Sequence, residues 1–372
     1  MLQTPRNSMF KPFMSALMAC AVISLTAVGA QAETQLLTGA YSDGALKGMK
    51  LLKFDADRDE FTIIKSFESI ENASFALYDA DNGRLYVTGE ADTGQVGAFK
   101  LSEDHMTLTS LGYVSSLAGS PCYLALSPDK SRLAVANYHG DIVAAFKIDA
   151  VSGAIQSDPD VLKGTDATKM GHAHWVQWSP EGDKIYMVDL GHDEVRAYPY
   201  DIKTGTIGAA TSAFKAPVGS GPRHLAFSPD GRFAYVVTEY ANTVITLKRE
   251  ANGTLTELQT ISTLPADYKE KSFAAHIQIN KAGDTLYMTN RGHNSLSVFR
   301  IQGDGQLTPL QTISTGGDWP RFFLLLEDEK RLLVAHQRSN DIRTFHINTD
   351  GSLAATPVKF ALPKPVMIVP LK

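Results

Sequence analysis

From about residue 35 onward the chain alternates short apolar runs with turn-forming clusters, and no stretch carries the spacing of an amphipathic helix. The runs either alternate apolar and polar residues or are apolar throughout, as in sheets packed face to face. One unit recurs: an apolar strand, a turn of the Ser-Pro-Asp-Gly type, a second strand ending on small or polar residues, a third ending in an aromatic, and a loop with Gly. It is plainest in CYLALSPDKSRLAVANYHGDIVAAFKI from Cys122, HWVQWSPEGDKIYMVDLGHDEVRAYPY from His174, RHLAFSPDGRFAYVVTEYANTVITLKR from Arg223 and HIQINKAGDTLYMTNRGHNSLSVFRI from His276. Weaker copies start at Phe75 and Arg321. A period of roughly 50 residues lies in the range of propeller blades. Strands at 35–41, 50–55 and 61–67 lack an inner partner, and 365–371 supplies one. The predicted fold is therefore all-β, a seven-bladed β-propeller closed by N- and C-terminal strands sharing one blade, which leaves no open sheet edge.

A chain of 372 residues would ordinarily divide into domains, but a closed repeat keeps residues 33–372 as one. Residues 1–32 read as a signal peptide: Arg6 and Lys11, an apolar run from Phe13 to Val28, then Ala30-Gln31-Ala32 before cleavage after Ala32. The run is short for a membrane anchor, so the expected location is periplasmic or secreted, with no membrane insertion once the leader is removed. Loss of Arg6 and Lys11 takes the formal charge from −5 to about −7, which argues against nucleic acid as a partner. Cys20 leaves with the leader, and Cys122 alone can form no internal disulfide. The sequence does not set the oligomeric state.

In a blade the start of the first strand and the end of the second meet on one face of the ring. Strand starts supply Asn72, Ser74, Cys122, His172, His174, Arg223, His224, His276 and Arg321. Strand ends supply Glu90, Asn137, Tyr138, Asp189, Glu239, Tyr240, Asn290, Arg291, His336 and Gln337. Turn chemistry does not require such a concentration of polar groups, whereas the Ser-Pro-Asp-Gly turns on the other face have a local explanation. Arg223, Arg291 and Arg321 converging on one mouth would repel one another, and a bridging anion relieves that repulsion. Structural pairing of each Arg with a nearby carboxylate is the alternative. Glu239 should neighbour Arg223 across one antiparallel pair and can serve as a base, as can His174. His172 and His174 could share a metal with Asp189 or Glu239, but His-x-His on a strand fixes no third ligand, so neither metal nor other cofactor is expected. Cys122 reads as a buried structural thiol.

The segments GHAHWVQWSPEGDKIYMVDLGHDEV, GSGPRHLAFSPDGRFAYVVTEYANTV, MTNRGHNSLSVFRI and TGGDWPRFF resemble the lactonase family of seven-bladed propellers, which includes propeller-type 6-phosphogluconolactonases and carboxymuconate cyclases. The likeness covers nearly all of the chain after the leader. It implies catalytic roles for His174, Arg223, Glu239 and Arg291, with His224, His276, Arg321, Asn137 and Gln337 expected to bind substrate. The implied function is hydrolysis of an anionic or polyhydroxylated, sugar-type lactone, and thus a carboxylic ester hydrolase. A muconate-type cycloisomerase and a non-catalytic binding propeller are the alternatives.

Overall fold

The computed structural model describes residues 1, 33–42, 48–68, 70–163 and 169–372, so the expected leader lies outside the described residues save for Met1. Seven antiparallel sheets form the ring, and in six of them sequence neighbours pair in order from the channel outward, save that Thr206–Ile207 and Thr211–Lys215 both pair with Glu194–Asp201. Six blades run consecutively, with inner strands Ala73–Asp79, Pro121–Leu126, Ala173–Trp178, Pro222–Phe227, Phe273–Ile279 and Pro320–Leu326. The seventh is built from both ends, Pro365–Pro370 lying inside Thr34–Ala40, Met49–Asp55 and Glu60–Phe67.

Each layer of a blade follows from its residues. Second strands such as Arg132–Asn137 and Phe233–Thr238 are buried from end to end, which is why their sequences do not alternate. Outermost strands such as Leu255–Ser262 and Leu353–Ala361 meet water and do alternate. The apolar core divides into seven clusters, one per interface between adjacent blades. A repeated tyrosine stitches several interfaces: Tyr186, Tyr235 and Tyr287 each donate a hydrogen bond to the carbonyl of a glycine in the following blade, at 2.9, 2.9 and 2.8 Å.

The turns opposite the mouth are local devices. Ser228 Oγ accepts from the Phe233 amide at 2.9 Å and donates to Asp230 Oδ1 at 2.6 Å, while Gly231 takes the left-handed φ of 70° that closes the reversal. The closing blade is tied to its neighbour by Arg331, whose Nε meets Asp59 Oδ1 at 2.7 Å and whose Nη2 donates to the Ala56 carbonyl at 2.6 Å.

Candidate active site

The mouth is assembled by two repeated backbone features. Just past each second strand, the amide of Tyr41, Glu90, Tyr138, Leu190, Glu239 or Gln337 donates to the carbonyl that precedes the inner strand, at Lys364, Asn72, Ser120, His172, Gly221 or Trp319. Several of those acceptor residues turn the chain sharply into the inner strand with positive φ: Asn72 50°, Ser120 53°, Gly221 63° and Trp319 65°. Arg291, opposite Phe273 in the ladder, holds the same place in the fifth blade.

The second feature is a β-bulge in the inner strands. Pairing passes from Pro222↔Thr238 directly to His224↔Val237, so Arg223 has no partner across the ladder. Cys122, His174 and Arg321 are skipped in the same way in their own blades. A bulged residue departs from strict alternation, so two consecutive side chains of one strand reach the channel. The upper layer is then Cys122, His174, Arg223 and Arg321. Beneath it lie Phe75, Tyr123, Trp175, His224, His276 and Phe322. The rings of that lower layer touch around the channel: Phe75 and Tyr123 have centroids 4.2 Å apart, Tyr123 and His224 5.1 Å, and His276 and Phe322 4.4 Å. Below this floor a cavity of about 900 Å³ opens toward the opposite turns, lined by Phe75, Tyr123, Trp175, Phe227 and Phe322. Gln177, Gln278, Lys281 and Glu327 also line it, so its walls are mixed.

Glu239 is the centre of one cluster. Its Oε2 lies 2.9 Å from Arg223 Nε and 2.8 Å from Arg291 Nη2. Burial alone would raise this carboxyl, but the guanidiniums of Arg291 and Arg223 outweigh it and hold it below the usual carboxylate range. Arg223 also donates from Nη1 to the Ala275 carbonyl at 2.8 Å, and Arg291 is fixed between the Phe273 carbonyl and the rings of Phe273 and Trp319. Burial, then the neighbouring Arg291 and Arg321, push Arg223 down to about 9, against the opposing pull of Glu239.

His174, His224 and His276 are buried and held neutral. His174 is buried, with Nδ1 3.7 Å from Cys122 Sγ; desolvation and then Arg223 and Arg321 hold it far below its ordinary value. Arg223 Nη1 lies 3.0 Å from His224 Nε2, and since a guanidinium can only donate, His224 carries its proton on Nδ1 and gives it to His276 Nδ1, 3.1 Å away. Burial lowers His276 to about 3. His224 and His276 thus support Arg223 from the floor rather than stand open at the mouth. His172 donates from Nδ1 to the Tyr138 carbonyl at 2.8 Å and stacks on that ring at the rim, apart from His174.

Opposite the first cluster stands a second. Tyr41 Oη donates to Glu90 Oε1 at 2.8 Å, and Arg321 Nη2 is 3.7 Å from the same oxygen, its guanidinium 5.4 Å above the Tyr41 ring. Glu90 Oε2 is buried without a hydrogen-bond partner, as is Gln337 Oε1. Asn137, expected to bind substrate, is instead fully buried, and its Nδ2 donates to the Ser116 carbonyl at 3.1 Å. It sits one residue before the mouth position, where side chains pin the loop behind the blade. Asn290 does the same for Thr263. Tyr41 carried no signal in the repeat, because its blade is split between the two ends of the chain.

One set among the described residues has ligand atoms close enough to share a cation, Asp141, Asp189 and His192, all within 4.8 Å. Asp189 is already committed, with Oδ1 accepting from the amides of His172, Gly191 and His192. Burial and the Asp189 carboxylate push Asp141 up to about 7. Neither His174 nor Glu239 belongs to this set.

Residues 35–370 match the family described as lactonase, 7-bladed beta-propeller. A 6-phosphogluconolactonase of Bacillus subtilis is 30% identical over 339 residues, covering 89% of this chain and 96% of its own. Among solved structures, the periplasmic gluconolactonase of Pseudomonas aeruginosa is 29% identical with a TM-score of 0.86, covering 92% of this chain and 99% of that one. A Lactobacillus plantarum protein is 28% identical with a TM-score of 0.83, over 92% and 100%.

Proposed function

The chain belongs to the lactonase family of seven-bladed β-propellers, and on that premise we propose that it hydrolyses a sugar-type lactone at the mouth formed by Arg223, Glu239 and Arg291. The observation that carries this reading is the pair of guanidiniums sharing a single carboxylate oxygen. Two cations against one anion leave about one unit of positive charge in a water-poor site, which suits a carbonyl oxygen becoming an oxyanion. Arg223 and Arg291 polarise the lactone carbonyl. Glu239 takes a proton from water, the water oxygen bonds to the carbonyl carbon, and the tetrahedral oxyanion rests on the two guanidiniums. The ring C–O bond then breaks, and the ring oxygen takes the proton back from Glu239, giving the hydroxy acid.

Between the two bases considered from sequence, Glu239 is favoured over His174. Protonating His174 would place an imidazolium beside three guanidiniums, whereas Glu239 stays ionised and ready. His174, neutral and packed on Cys122, orients rather than accepts. An exported location is part of the same proposal, supported by the leader pattern and by the P. aeruginosa relative being a periplasmic protein. The test is a panel of sugar lactones, phosphorylated and not, with wild type and Arg223→Ala. Loss of roughly a hundredfold or more on every lactone is expected, since removing one oxyanion donor has that effect. Unchanged turnover, or a rearranged lactone as product in place of the hydroxy acid, would contradict hydrolysis here.

A further inference from the structure

Resting on the lactone reading above, we infer that Glu90, held by Tyr41 and Arg321, is the specificity-determining group that accepts a hydrogen bond from a hydroxyl of the substrate. The Tyr41 phenol is spent on Oε1, and Arg321 Nη2 lies 3.7 Å from that same oxygen. Oε2 is left buried with no donor. A buried carboxylate oxygen without a donor is costly, and a ligand hydroxyl removes that cost. Gln337 Oε1, at the mouth position one blade before Tyr41, is a second buried acceptor in the same condition. Acceptors receive hydroxyl protons and repel phosphate or carboxylate oxygens. The group met on this side is therefore an uncharged, hydroxyl-bearing part of the substrate, while the carbonyl lies against Arg223 and Arg291.

Glu90 is not a duplicate of Glu239. With one guanidinium at 3.7 Å and a neutral phenol, the Arg321–Glu90 pair is balanced in charge, so it offers direction in place of surplus positive charge. Tyr41 fixes the direction. Its backbone amide is tied to the Lys364 carbonyl at 3.3 Å, so the closing blade positions this side of the mouth.

The experiment compares kcat/KM for glucono-1,5-lactone, which carries ring hydroxyls, with δ-valerolactone, which has none, in wild type, Glu90→Ala and Glu90→Gln. Glu90→Ala should lower the value for the hydroxylated lactone roughly ten- to hundredfold, the range for a hydrogen bond to a charged group. It should leave δ-valerolactone within about threefold, since no Glu90 contact to it is made. Glu90→Gln, which keeps the side-chain shape, should lose part of the preference and retain the wild-type melting temperature. Equal loss on both lactones, or loss on neither, overturns the inference. Should wild type open neither lactone, the hydrolytic reading fails, and calorimetric binding of gluconate decides this inference separately: weaker binding by Glu90→Ala supports it, and equal or no binding in both proteins overturns it.

Discussion

Glu239 and Glu90 occupy the same place in blades three apart and are equally sheltered, with side chains 13% and 14% exposed. Their surroundings differ. Two guanidiniums converge on one oxygen of Glu239 at 2.8 and 2.9 Å, whereas Glu90 has a phenol at 2.8 Å and a guanidinium only at 3.7 Å. Burial is the same for both, so it cannot account for the contrast. Partner chemistry does: the first arrangement concentrates positive charge, and the second presents a directed acceptor. A repeat fold makes this possible, because each blade offers the same backbone position and leaves the residue type free.

The comparison breaks most completely if the ring is opened. A chain ending at Leu362 lacks the inner strand Pro365–Pro370 and the carbonyl that anchors Tyr41. It should lose cooperative thermal unfolding altogether, and an unchanged melting temperature would refute closure as the source of stability. Acid should act next, on the buried histidines of the mouth and of the floor beneath it. His174, His224 and His276 have folded pKa values below the unfolded value of about 6.5, His276 at about 3. Within that window the unfolded chain binds more protons, so stability is full above about pH 6.5 and falls as pH drops toward 3. Each imidazole contributes roughly 1.4 kcal/mol per pH unit inside it. A denaturation midpoint that stays flat from pH 7 to 5 would show that these histidines are not held neutral.

Two smaller effects sharpen the contrast. Arg321→Ala removes the guanidinium paired with Glu90 and should raise KM about tenfold while leaving kcat within about threefold, unlike Arg223→Ala. Steady-state kinetics on a hydroxylated lactone checks this, and an equal fall in kcat would merge the two clusters into one. Cys122→Ala should change turnover less than about twofold, since burial pushes the thiol well above its ordinary range and leaves it unreactive. A larger loss would assign the Cys122–His174 contact to the chemistry.

The blade count, the shared closing blade and the convergence of Arg223, Glu239 and Arg291 were legible because the repeat fixes where strands begin and end. What stayed hidden were features of a single residue. Strict alternation would send His174 and Trp175, or Arg223 and His224, to opposite faces, and only the bulge brings both into the channel. The same one-residue resolution separates Asn137, which pins a loop, from Tyr138, which reaches the rim. Tyr41 was missed because no intact copy of its blade exists in the sequence to align it with Glu90. Pairing of His224 with His276 could not be read at all, since it joins neighbouring blades beneath Arg223.

The central claim is that Glu239, clamped by Arg223 and Arg291, drives ring opening at the mouth. It is tested most directly by the kcat of Glu239→Gln for a hydrolysed sugar lactone, with strand content and melting temperature measured on the same protein. A fall of roughly a hundredfold or more in a folded variant is expected for loss of a general base. A kcat within about threefold of wild type would contradict it.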